Sequence, residues 1–179
     1  MTLATAGLIL GSCIVLANLP LLAAPATARR MLAAFPRSQW LGWILAIVAI
    51  AWSAWLVNEM ELGSFNKYKI ALYVVAPVLL VLVCFFMEEL LAVRALGGLL
   101  MLVPAPLLDI ARWHDSSSRL VVTVLAYVMV VAGMTLILCP YVFRKTAERF
   151  TATDLRCRLS GGAGFVLGAV VVALALKVY

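Results

Sequence analysis

The sequence is short of charge and shorter still of groups that do chemistry. Of 179 residues only 12% are charged, and there is one histidine, His114. The four cysteines, Cys13, Cys84, Cys139 and Cys157, never stand as a C-x-x-C pair. A single histidine excludes a bis-histidine haem, and no His, Cys and carboxylate cluster has the spacing of metal ligands. No metal and no cofactor is therefore expected. Nucleophile–base constellations, phosphate-binding glycine loops and metalloprotease motifs are likewise missing. An ordinary soluble domain is about half apolar and about a quarter charged. At 66% hydrophobic, a chain of this length has far more apolar side chains than one soluble interior can hold. No Lys or Arg precedes the first apolar run, so the charged start of a cleaved signal peptide is lacking and that run is expected to stay as a helix.

What the chain does have is long apolar runs. Six stand out: Leu3 to Ala24, Trp40 to Val57, Ile70 to Met87, Leu90 to Leu108, Leu120 to Cys139 and Leu159 to Leu176. Each is near the roughly 20 residues that cross a bilayer as a helix. Unbroken runs of this kind exclude a β-barrel, whose strands alternate. The expected fold is an all-α integral membrane protein, a bundle of six transmembrane helices with short loops, residues 1–179 forming one domain. The count falls to five if the third and fourth runs fuse across Glu88 and Glu89. Trp40 and Trp43 open the second run while Trp52 and Trp55 close it, as an interfacial belt predicts.

Basic residues mark the two ends of the bundle. The first, third and fifth loops with their helix edges hold Arg29, Arg30, Arg37, Arg94, Arg144, Lys145, Arg149, Arg156 and Arg158, nine in all. The opposite side holds five: Lys67, Lys69, Arg112, Arg119 and Lys177. By the positive-inside rule, loops 25–38 and 140–158 are expected in the cytoplasm and both termini outside, in an inner or plasma membrane. Those two loops also look alike. Each places a proline at the helix exit (Pro25, Pro140), two basic residues four and five positions on (Arg29 and Arg30, Arg144 and Lys145), and a phenylalanine at ten (Phe35, Phe150). This suggests a helix–basic hairpin–helix unit used twice, over 3–57 and 120–177. On a helix, Phe143, Ala147 and Phe150 share a face while Arg144, Lys145 and Glu148 point away, so such a segment can lie among anionic headgroups. Arg29, Arg30, Arg144, Lys145 and Arg149 are thus candidate lipid-headgroup contacts. Ordinary topology-setting charge is the favoured explanation of them. No nucleic-acid partner is expected. Cys157, between Arg156 and Arg158, is read as a loop thiol.

Small residues recur at helical spacing. Ser160, Gly164 and Gly168 make a smooth strip in the sixth run, and Gly7 and Gly11 do so in the first. In lipid such strips permit close helix contact, either within this bundle or with another protein.

The fourth run is the one that breaks. Pro104 and Pro106 remove two backbone donors and are expected to push Val103 and Ala105 toward extended geometry, ending the helix at Val103 and starting a short one at Pro106. Beyond them come Asp109, Arg112 and His114. One reading is a discontinuous helix binding ions or solutes, with Asp109 and Arg112 paired and His114 titrating near neutral pH. The other is an interfacial helix in which Leu107, Leu108, Ile110, Ala111 and Trp113 touch acyl chains, and the timing of the charges favours it. Glu88, Glu89 and Arg94 flank a helix start, where they form a local ion pair or snorkel. Pro77 is expected to kink the third run.

The function these features favour is a non-catalytic subunit that packs against, and stabilises or anchors, a larger membrane complex. The alternative is a small transporter or channel using the broken helix, which predicts that Asp109 or Arg94 faces a cavity. The third is a membrane enzyme acting on lipid through Glu88, Glu89 and Arg94 or through Asp109 and His114.

Overall fold

The computed structural model describes residues 3–60, 69–86, 90–112 and 119–177. They form helices and turns: α1 (Leu3–Ala23), α2 (Pro25–Ala34), a 3-10 turn (Phe35–Arg37), α3 (Gln39–Glu59), α4 (Lys69–Phe86), α5 (Leu91–Leu102), α6 (Pro104–Arg112), α7 (Arg119–Leu138), α8 (Tyr141–Phe150) and α9 (Asp154–Lys177). Six spans are long and apolar enough to cross a membrane: α1, α3, α4, α5 with α6 as one stretch of 22 residues, α7 and α9.

The helices stand in a row. α4 packs on α3, α3 on α5, α5 on α7, α6 on α7 and α1, and α1 on α9. Among the described residues, the largest side chains lost wholly to the interior are only Val93, Val122, Val171, Pro104 and Cys157. A lipid-embedded bundle gains little from burying apolar bulk, because lipid is as apolar as the core, so backbone proximity and van der Waals contact hold it. Glycine supplies that proximity. A Cβ at Gly97 would lie 2.8 Å from the Gly133 carbonyl oxygen, and one at Gly133 would lie 2.6 Å from that of Gly97. In the α1–α9 seam, a Cβ at Gly11 or at Gly168 would stand 3.0 Å from the other's carbonyl oxygen. A Cβ at Gly164 would strike the Asn18 side chain, whose amide nitrogen instead donates to the Ile14 carbonyl at 2.8 Å. The two small-residue strips, expected from their spacing, therefore meet each other inside this chain, and Gly7 is buried as well.

Two expectations about local structure are corrected. The proline pair does break the fourth span into α5 and α6, but without the expected extended geometry. Val103 keeps a helical backbone (φ −55°, ψ −41°), its amide still donates to the Leu99 carbonyl at 3.0 Å, and α6 begins at Pro104 rather than Pro106. Proline at the first position of a helix loses only a donor that would have been unpaired, and tertiary packing carries the chain on. Leu107 and Ala111 are not on acyl chains but in a core with Leu3, Ala6, Leu10 and Val122. The second correction concerns Cys157. It lies in the first turns of α9, fully buried, with its thiol 3.8 Å from the Leu21 carbonyl oxygen. α9 starts at Asp154, before the apolar run at Leu159, because the Thr153 hydroxyl caps it by accepting from the Arg156 amide.

Candidate functional site

The first and fifth connections fold as short helices at one end of the bundle. Pro25 opens α2 at the position where its missing donor costs nothing, and α8 follows Pro140. The two are joined by the Phe35 and Phe143 rings, 5.5 Å apart. An ion pair between Arg29 and Asp154 ties α2 to the start of α9. Arg144 pairs with Glu148 one turn along α8 at 3.4 Å. The Arg29 guanidinium gives Asp154 one nitrogen, and its Nε is enclosed without a hydrogen-bond partner.

Two clefts meet at α8. One, of about 470 Å³, opens between α1, α7 and α8, with Leu136, Phe143 and Phe150 among apolar walls and Asn18, Thr135 and Ser160 as polar spots. The other, of about 390 Å³, is bordered by Arg29, Arg37 and Arg144, with Leu90 and Glu148. Leu32, Ala147 and Thr151 line both. The amphipathic pattern of α8 divides them: Phe143, Ala147 and Phe150 all line the apolar cleft, while Arg144 and Glu148 line the charged one.

Among the described residues, Arg94 does not come together with Asp109 and Arg112. Asp109 is exposed, and so is Arg112, both at the end of the fourth span away from α2 and α8. Arg94 sits near the opposite end of that span, fifteen residues from Asp109, or roughly 22 Å at 1.5 Å per residue. Its Nε is enclosed and lacks a hydrogen-bond partner. Glu88, Glu89 and His114 lie outside the described residues. Pro106 borders a third cleft, of about 340 Å³, between α1, α3, α6 and α7. Its lining includes Trp52, Cys13 and aliphatic side chains and no charged residue. Among the described residues no group of His, Cys, Asp and Glu is placed to hold a metal ion. Of the candidate headgroup residues, Arg29 and Arg144 line the charged cleft, whereas Arg30, Lys145 and Arg149 are exposed outside it.

No protein-family model, curated protein or solved structure matches this chain. The site is therefore read from its own residues.

Sequence reasoning placed Arg37 at this end but left it out of the candidate headgroup contacts, and it missed the role of Asp154. The Asp154 pairing spans 125 residues of sequence and had no local signal.

Proposed function

We propose that the chain is a non-catalytic, multi-pass membrane subunit that packs laterally against a larger membrane protein, stabilising or anchoring it. In this reading α2 and α8 face the cytoplasm and α4 is the helix that meets the partner. One observation carries it: among the described residues α4 has a single substantial neighbour, α3, and none of its described residues is buried. Every other span buries part of its length, up to 39% for α5 with α6. A helix in lipid is held sideways by close packing, which glycines and other small residues permit. α4 contains no glycine, carries Pro77 within it, and shows Tyr73, Val74, Val78, Val81 and Phe85 on its open sides. A helix of a second membrane protein lying along α4 would supply the contact that its own chain does not.

Purification of the chain from its native membrane in mild detergent, with mass determination of what comes with it, tests this. The expected result is co-purification with larger membrane subunits at fixed stoichiometry. A lone monomer or a small homo-oligomer would overturn the reading.

A further inference from the structure

From the two adjoining clefts beside α8, one apolar and one basic, we propose a binding site for one anionic phospholipid. Its phosphate-bearing headgroup lies among Arg29, Arg37 and Arg144, and an acyl chain lies in the apolar cleft between α1, α7 and α8. This stands apart from the partner-docking role of α4, at a different place on the molecule.

The two halves share Leu32, Ala147 and Thr151 as a common wall, so a single amphiphile can occupy both. Their chemistry differs as the two parts of a phospholipid differ. Leu136, Phe143 and Phe150 border one half. Among the described residues three arginines border the other; Arg29 is paired with Asp154 and Arg144 with Glu148, so the charge of Arg37 is the surplus. Arginine presents a planar fork of donors that matches phosphate oxygens. Arg29 gives Asp154 only one of its terminal nitrogens, and Arg37 and Arg144 are exposed rather than locked in the core. A zwitterionic lipid would bring its own cation into this surplus and gain less. A free phosphate would leave the apolar half without an occupant.

Native mass spectrometry of the detergent-purified chain, titrated with phosphatidylglycerol or with phosphatidylcholine of the same acyl chains, tests the site. The expected result is one phosphatidylglycerol bound at concentrations where phosphatidylcholine is not retained. The double variant Arg37→Gln/Arg144→Gln should weaken that binding by about tenfold or more, since two charge-assisted contacts are removed. Ala147→Trp should weaken it with every arginine in place, by filling the wall common to both halves. Arg158→Gln, which removes the same kind of charge from the same end but outside the cleft, should leave it unchanged, and excess inorganic phosphate should not displace the lipid. Equal retention of the two lipids, equal loss in Arg158→Gln, or displacement by phosphate would overturn the proposal. If Ala147→Trp fails to fold, the arginine double variant decides, because both of its positions are exposed.

Discussion

The α5–α7 seam and the α3–α4 seam hold helices of similar apolarity in opposite ways. Between α5 and α7 two glycines face each other so closely that neither site has room for a methyl group. At the α4 edge the contact is made by side chains, with Leu80 and Val83 resting against a cluster of Ala46 from α3 and Leu91 and Ala95 from α5, and α4 contributes no buried residue among those described. The first is a fixed joint in which backbone meets backbone. The second is a loose edge that can be covered by something else. Apolarity alone, which is what a hydropathy reading sees, cannot separate the two, because in lipid both faces are equally comfortable.

Substitutions should sort by this contrast. The largest effect is expected for Gly133→Val. Its Cβ would meet the Gly97 backbone carbonyl at 2.6 Å, and backbone cannot swing aside as a side-chain tip can. Overpacking of this kind costs about 3 kcal/mol or more, read as a large drop in the thermal midpoint in detergent or as loss of folded protein. Gly168→Val in the α1–α9 seam comes next, at about 2 kcal/mol, because there the nearest atom is Val15 Cγ2 at 2.8 Å, which can turn. If Gly133→Val melts like the parent, the idea of a fixed joint fails.

The basic end should respond more weakly. Asp154→Asn removes the Arg29 partner and a carboxylate from the first turn of α9. The pair is exposed, at 36% and 72% for its two side chains, so solvent screens it and a loss of about 0.5 kcal/mol is expected. High salt should shrink that difference further, and a loss of several kcal/mol would mean that α2 depends on this pair for its place. Smallest of all is Val78→Ala on the open side of α4, within about 0.5 kcal/mol in detergent. A large drop there in the isolated chain would show that α4 is packed from both sides.

Much of the fold was legible because the membrane imposes a length. All six apolar runs appear as spans, their ends shifted by a few residues where a cap or a charged turn extends the helix, as Thr153 does for α9. The amphipathic spacing of Phe143, Ala147 and Phe150 likewise foretold which side of α8 meets an apolar surface. What spacing could not show was partnership. The glycine strips of α1 and α9 lie far apart in sequence, and only the folded chain reveals that they meet. Pro104 marked the break but not its geometry: the loss of a backbone donor is a local effect, while the contacts of Leu107 and Ala111 with α1 and α7 that hold α6 against the bundle are not. The candidate site was legible as charge and illegible as geometry. Arg29 and Arg144 were marked by their loops, but the cleft they share with Arg37 exists only where α2, the 3-10 turn, Leu90 and α8 converge.

The most direct test of the central claim is site-specific photocrosslinking in the native membrane. A benzophenone amino acid would be placed at Val74 of α4 or at Val124 of α7, which are 64% and 61% exposed and so present the probe equally well. Docking through α4 predicts a discrete adduct with a larger membrane protein from position 74 and none from position 124. Equal adducts from both positions, or none from position 74, would contradict it.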